Sequence, residues 1–181
     1  MKKNRFIAGF IIVVIFMTII SACTEEGQFY SSSVCGFEFS FPSGWLFAEE
    51  PNGEVKVYKE GVVFIYIKDL TDDINNADYE YPLIDRAEYA AEEFLTGISG
   101  GDSAGIFEYM FTEDALGGFV TGSISDTIYI GGEEMLFTLT ITKVGSRMVA
   151  DVTAGKNQKI LGDTNKARKT IMDSIKTVEK D

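Results

Sequence analysis

The sequence predicts an α+β domain in which helices pack on a mostly antiparallel β-sheet. Three observations support this fold class. Residues 37–41 alternate strictly between apolar and polar side chains, which is typical of a half-buried strand. Residues 85–98 repeat their apolar side chains with the period of a helix. The later strands are joined by very short connections, which favour antiparallel neighbours.

The first half of the domain is predicted to contain three strands and a loop. The strand over 37–41 ends at residues 42–45, Pro-Ser-Gly-Trp, which are turn-forming types. Residues 55–59 alternate again. Residues 62–67 are apolar on both sides, which predicts a covered, central strand. Residues 69–82 are rich in Asp and Asn and include a proline at their end, so they are predicted to form an acidic loop.

A helix is predicted next, because Asp85 and Glu88 have the spacing of a capping box. Its apolar stripe consists of Ala87, Ala90, Ala91, Phe94, Leu95 and Ile98. Glycines at the end of this stripe are predicted to stop the helix.

The second half is predicted to be a set of strands followed by a helix. The strands are predicted over 106–111, 119–124, 127–130, 134–143 and 147–153, and the last two form a hairpin around Gly145. The C-terminal helix carries Ala167, Ile171, Ile175 and Val178 on one face, with Asp163 or Thr164 as its N-cap.

The composition limits the function classes. The chain has 181 residues, 28 acidic against 16 basic side chains, a net charge of −12, and no histidine. Such an acidic protein is not expected to bind nucleic acid, because phosphate contacts need an excess of Lys and Arg. Imidazole bases, imidazole metal ligands and a Ser-His-Asp triad are all excluded.

The N-terminus has the pattern of an export signal. Three basic side chains within the first five residues precede an apolar stretch over residues 6–20, and small residues follow. A cleaved signal and an uncleaved membrane anchor both fit, since ~17–25 apolar residues span a bilayer. The basic start favours a cytoplasmic N-terminus in either case, which would place the rest of the chain outside the cytoplasm.

Ile20-Ser21-Ala22-Cys23 resembles the lipobox of bacterial lipoproteins. The resemblance implies that residues 1–22 are a signal peptide and that Cys23 is the lipid attachment site. It predicts a cell-membrane protein that is lipid-anchored on the extracytoplasmic face. Residues 23–33 would then be a lipidated, solvated tether, and residues 34–181 a single domain. From Cys23 onward the chain holds 13 basic and 28 acidic residues, so acyl chains rather than a polybasic patch must supply its membrane affinity.

Residues 36–45, Gly-Phe-Glu-Phe-Ser-Phe-Pro-Ser-Gly-Trp, resemble the opening of PsbP-like proteins, in which an alternating aromatic strand runs into Pro-x-Gly-Trp. The order of the later elements is also similar. The resemblance implies an α/β/α sandwich with an antiparallel sheet, and a role as a docking or accessory subunit rather than as an enzyme. Photosystem members of that family use histidine and basic residues. This chain has no histidine, and its acidic residues outnumber its basic ones.

The acidic loop is a candidate binding site. Asp69, Asp72, Asp73 and Asp78 supply the oxygen ligands that calcium prefers, although their spacing does not match an EF-hand. The two interpretations are a weak calcium site and a merely solvated loop. Tyr79, Tyr81 and Tyr89 lie near this loop and predict either an exposed surface for a partner or packing within the domain.

Two further motifs are weaker. Cys35 has no disulfide partner if Cys23 is lipidated, so it is predicted to be a buried small side chain, with an intermolecular bridge or a reactive thiol as the alternatives. Residues 101–105 match G-x-S-x-G, but with no histidine they are predicted to be a glycine-rich loop.

The sequence therefore predicts a non-enzymatic, lipid-anchored accessory protein that docks an envelope protein through an acidic face. The alternative is a lipoprotein that binds a cation or small ligand at residues 69–80. An enzyme is the least supported class, because no spaced pair of carboxylates stands out.

Overall fold

The computed structural model describes residues 27–59, 63–77, 80–101 and 107–179. Within these ranges the strands are β1 (Gln28–Ser32), β2 (Phe37–Phe41), β3 (Leu46–Glu49), β4 (Val55–Lys59), β5 (Val63–Asp69), β6 (Met110–Glu113), β7 (Val120–Ile130), β8 (Glu133–Val144), β9 (Arg147–Gly155) and β10 (Lys176–Thr177). The helices are α1 (Thr71–Asn76), α2 (Leu83–Ser99) and α3 (Gln158–Ser174).

The strands form two antiparallel sheets. The larger sheet has the order β3-β4-β5-β9-β8-β7-β6, and the smaller one has the order β1-β2-β10. Every pair of neighbouring strands is antiparallel. The predicted fold class, α+β with a mostly antiparallel sheet and helices packed on it, is confirmed.

The large sheet separates two hydrophobic cores. On one face, α1 and α2 cover alternate residues of β7, β8 and β9, such as Phe137 and Leu139. On the other face, the small sheet and α3 lie over β4 and β5. The three predicted inward phenylalanines of β2 are at most 1% exposed. Each contributes about 1.5–3 kcal/mol by its burial, which explains why this short strand holds the small sheet in place.

The prediction that residues 23–33 form a solvated tether is partly wrong. Gln28–Ser32 forms strand β1, which pairs along its whole length with β2. Tyr30 is 3% exposed, and its ring packs against Phe39 with a centroid distance of 4.8 Å. The folded domain therefore includes residues 28–33. The predicted signal peptide 1–22 and the lipid attachment residue Cys23 lie outside the described residues.

The acidic loop predicted over 69–82 contains helix α1. The side chain of Asp69 accepts a hydrogen bond from the backbone N–H of Thr71 (3.0 Å), and Ile74 on this helix is fully buried. A single apolar side chain in six residues gives no periodic signal. Contact with the core, rather than the local pattern, stabilises this turn of helix.

Both long helices begin earlier than predicted. Helix α2 starts at Leu83, with Pro82 before it and no side-chain cap, so Asp85 lies inside its first turn. Helix α3 is capped by Asn157, whose side chain accepts a hydrogen bond from the N–H of Ile160 (3.0 Å), instead of by Asp163 or Thr164. It ends at Ser174, so Ile175 and Val178 follow the helix rather than share its face.

Two strand predictions also need correction. The strands expected over 119–124 and 127–130 are one strand, β7, because its pairing with β8 runs without interruption through Ser125 and Asp126. The strand expected over 106–111 begins at Met110 in the described residues. None of the helices within the described ranges combines the length and hydropathy needed to cross a bilayer.

Candidate functional site

A groove between α1 and α2 brings together the acidic and aromatic residues that the sequence singled out. It has a volume of about 340 Å³ and is lined by Asp72, Asp73, Asn76, Ala77, Tyr89, Ala90 and Glu93. Asp72 and Asp73 come from the first turn of α1, and Tyr89 and Glu93 lie one turn apart on α2. The two helices therefore contribute carboxylates from both walls.

Arg86 connects the two walls of the groove. Its Nη1 donates a hydrogen bond to the backbone oxygen of Ile74, 3.0 Å away, near the end of α1. Ile74 itself is fully buried beneath the helix pair. A guanidinium from α2 thus satisfies a carbonyl of α1, and the spacing between the two helices is fixed by this contact and by the core below.

The charge of the groove is negative. Its three carboxylates, on Asp72, Asp73 and Glu93, outnumber two nearby cationic groups. Lys68 Nζ lies 2.8 Å from the carboxylate of Asp73, and the Arg86 guanidinium bridges the two helices. The exposed face of α2 adds Asp85 and Glu92. Coulomb attraction therefore favours a cationic group in or beside the groove.

Tyr89 supplies an aromatic surface at the rim of the groove. Its side chain is 61% exposed, and its hydroxyl donates a hydrogen bond to Glu93, 3.0 Å away. This hydrogen bond to the carboxylate raises the pKa of Tyr89. An exposed aromatic face beside carboxylates suits the stem and charge of a Lys or Arg side chain.

The structure separates the predicted calcium ligands. Asp72 and Asp73 line the groove, but Asp69 points to the opposite face of the large sheet, where its carboxylate lies 3.6 Å from Arg147. The alternation of side chains along β5 causes this separation. Asp78 lies outside the described residues. In the part of the chain that the structure describes, no group of three or more acidic, Cys or His side chains is arranged to hold a metal ion.

Two of the three tyrosines predicted to form a partner surface lie within the described residues. Tyr81 and Tyr89 are 60% and 61% exposed, so the alternative that they pack within the domain is wrong for these two residues. Tyr79 lies outside the described residues. Glu93 is not among the site residues predicted from the sequence, although its position four residues after Tyr89 on a predicted helix places both side chains on one face.

Cys35 is buried, as predicted, directly before β2. It is 1% exposed, and burial raises the pKa of its thiol, with the carboxylate of Glu49 acting in the same direction. The thiol is therefore held in its unreactive, protonated form. The G-x-S-x-G pentapeptide is described only at Gly101, because residues 102–105 lie outside the described ranges.

Comparisons with known proteins give structural likeness only. No protein-family model and no curated protein matches the chain. The solution structure of cyanobacterial PsbP (CyanoP) from Synechocystis sp. PCC 6803 is similar, with 13% identity, a TM-score of 0.49, and coverage of 88% of this chain and 99% of that one. A crystal structure from Bacteroides thetaiotaomicron has 13% identity and a TM-score of 0.48, and 86% of this chain spans 50% of that one.

Proposed function

We propose that this protein is a non-enzymatic accessory module, held at the outer face of the cytoplasmic membrane by a lipid on Cys23, that docks a basic segment of an envelope protein. The observation that carries the proposal is the groove between α1 and α2, where Asp72, Asp73 and Glu93 surround an exposed Tyr89. The lipobox resemblance at residues 20–23 supports the location.

The surface around the groove supports a macromolecular partner. Tyr81, which precedes α2, is 60% exposed, and α2 also carries the exposed Asp85 and Glu92. A surface that combines aromatic rings with one sign of charge is typical of protein interfaces. The dispersal of the predicted calcium ligands favours this function over a metal site.

The proposed partner carries Lys or Arg side chains next to an extended or helical stretch. Each side chain that enters the groove would meet carboxylates from α1 and α2 and lay its aliphatic stem on Tyr89. The net negative charge of the body would also speed the encounter with a basic partner at low ionic strength.

Crosslinking in intact cells tests the proposal. The double substitution Asp72→Lys/Glu93→Lys reverses the charge at two positions in the groove. As a control, Asp126→Lys/Glu134→Lys makes the same change in net charge on the exposed β7–β8 hairpin. We expect the unaltered chain and the hairpin variant to capture the same membrane neighbour, and the groove variant to lose it. Capture that is equal in all three proteins would contradict the proposal.

Two further measurements test the lipid anchor and the docking function of the groove separately. The intact mass of native material should show residues 1–22 removed and fatty acids attached, and an unprocessed chain would contradict the anchor. A rise in Tm with calcium that Asp72→Asn/Glu93→Gln removes would replace docking by cation binding as the function of the groove.

A further inference from the structure

The layers on the two faces of the large sheet differ in charge. Helices α1 and α2, on one face, hold six acidic side chains and one basic side chain. The layer on the other face presents five exposed lysines, on α3 and at the ends of β4 and β10: Lys59, Lys159, Lys166, Lys169 and Lys176. Three acidic side chains of the same layer, Glu38, Asp163 and Asp173, lie beside Lys176, Lys166 and Lys169. In the sequence as a whole, residues 24–155 contain 6 basic and 24 acidic residues, whereas residues 156–181 contain 7 basic and 4 acidic ones.

The lysines of α3 point into solvent. The side chains of Lys166 and Lys169 are 81% and 72% exposed, and each lies beside one aspartate of the same helix, Asp163 and Asp173. Exposed pairs of this kind contribute little and exchange readily for other anions. The buried Asp151 carboxylate neutralises only Arg168, so it does not reduce the charge of the surface.

The chain enters the domain on this same layer. Strand β1 begins at Gln28 in the small sheet, which lies beside α3 over β4 and β5. Gln28 follows Cys23 by five positions, a stretch that spans at most about 18 Å when fully extended. A lipid on Cys23 would therefore hold the lysine-bearing layer nearer the bilayer than α1 and α2, which lie beyond the large sheet.

The outer surface of this layer also has apolar side chains. Phe29 of β1 is 62% exposed, because its neighbour Tyr30 takes the inward position. Trp45 is buried, at 7% exposure, and lines a depression of about 440 Å³ together with Pro42, Lys59, Asp163 and Lys166. An exposed aromatic side chain such as Phe29 on a layer that carries lysines is typical of surfaces that rest at the interface of a bilayer.

We propose that the layer formed by α3 and the small sheet lies against the anionic surface of the membrane that carries the lipid anchor, so that the acidic groove faces away from the bilayer. This inference rests on the lipid anchor of the proposed function. The lysines set the orientation of the domain at the membrane. They do not supply its membrane affinity, because the lipid anchor already keeps the domain at a high local concentration near the bilayer.

Electrostatics favours this orientation over its reverse. A lysine near an anionic bilayer changes the ratio of the two orientations about fivefold, and the effect falls off within a Debye length of about 8 Å. Turning the domain over would place the six carboxylates of α1 and α2 at that surface instead. The proposed docking groove is thereby presented to proteins and kept from lipid.

Energy transfer from Trp45 tests the orientation, since it is the only tryptophan of the chain. The lipidated protein is reconstituted into phosphatidylcholine vesicles with or without phosphatidylglycerol, with a dansyl label on the lipid headgroups. We expect greater transfer with the anionic lipid, and loss of the difference in 1 M salt, where the Debye length is about 3 Å.

Two charge variants decide the result. Lys166→Glu/Lys169→Glu alters the proposed contact face, and Lys56→Glu/Lys143→Glu makes the same change in net charge on the opposite face of the large sheet, outside the groove. The first variant should lower transfer to the level of neutral vesicles, and the second should keep the difference. Equal transfer in both lipids for an acylated protein would overturn the orientation and leave the anchor intact. A native chain without fatty acids would overturn both.

Discussion

At the scale of single residues, Asp151 forms a buried ion pair with Arg168. Asp151 is on β9 and is fully buried, and its two carboxylate oxygens accept hydrogen bonds from Nε and Nη2 of Arg168 on α3, the second at 2.8 Å. Burial raises the pKa of Asp151, and the guanidinium opposes this rise. The bidentate contact with Arg168 therefore stabilises the charged form of a carboxylate inside the molecule.

Arg168→Met should lower the free energy of unfolding by about 3–5 kcal/mol at neutral pH, since it leaves a buried carboxylate without its partner. Without Arg168 the pKa of Asp151 rises further above its unfolded value, so the folded state binds the extra proton and stability falls as pH rises. The variant should therefore lose less stability in mild acid than at pH 7. Denaturant unfolding at both pH values measures this.

The double variant Asp151→Asn/Arg168→Met is the control. It removes the charge together with its partner, so at neutral pH it should be more stable than Arg168→Met alone. A double variant that is as unstable as the single one, with no dependence on pH, would show that packing of the Arg168 side chain, rather than its charge, matters.

At the scale of elements, α3 is positioned on β9 by close backbone contact. Gly155 ends β9, and a Cβ at this position would lie 2.6 Å from the backbone nitrogen of Leu161. No side chain fits there unless the helix moves. Thr153 of β9 adds a side-chain hydrogen bond to Asn165 of α3 (3.0 Å), so side-chain contact as well as backbone contact positions the helix on the strand.

Gly155→Ala should lower the free energy of unfolding by about 1–3 kcal/mol, because the methyl group displaces α3 from the sheet. Gly162→Ala is the matched control, because this residue lies in α3 with nothing within 4 Å of an added Cβ. It should raise stability by about 0.5–1 kcal/mol through helix propensity. Thermal unfolding of both variants measures the difference, and equal effects would contradict the close approach.

The existence of an element was predicted best where the periodicity is strong, although the start of α2 was not predicted correctly. The alternation of β2 and the stripe of α2 are visible in the residues themselves. Strand β1, with the sequence Gln-Phe-Tyr-Ser-Ser, has no such pattern and becomes a strand because β2 offers a free edge beside it. Its strand conformation depends on pairing with the neighbouring β2, which the five residues of β1 do not encode by themselves.

At the scale of the whole molecule, the two cores share the large sheet. Strands β5 and β9 contribute alternate residues to each core, for example Ile65 to one and Tyr66 to the other. Neither core can be exposed without disrupting strands that the other requires. Folding of the domain should therefore be cooperative.

Chemical denaturation should give coincident transitions by two probes. Trp45 fluorescence reports the core beneath the small sheet and α3, whereas far-UV circular dichroism also reports α1 and α2 on the other face. We expect the same midpoint by both methods. A Trp45 transition at lower denaturant would show that the small sheet and α3 unfold independently.

The candidate site was predictable in composition but not in arrangement. The sequence identifies the acidic segment after β5 and the tyrosines around it, yet it cannot show that Asp69 faces Arg147 while Asp72 and Asp73 face α2. That separation follows from the last residue of β5 and the first turn of α1, whose side-chain directions depend on where the strand ends.

The sequence by itself determined the fold class, the absence of histidine chemistry and the acidic character of the chain, because these follow from composition and from local periodicity. Only the tertiary structure decided which carboxylates meet and which are buried against arginine, and it alone separated the acidic helices from the lysines of α3. The physical reason is that charge and hydrophobicity are properties of residues, whereas a site is a set of distances between residues that are remote in the chain.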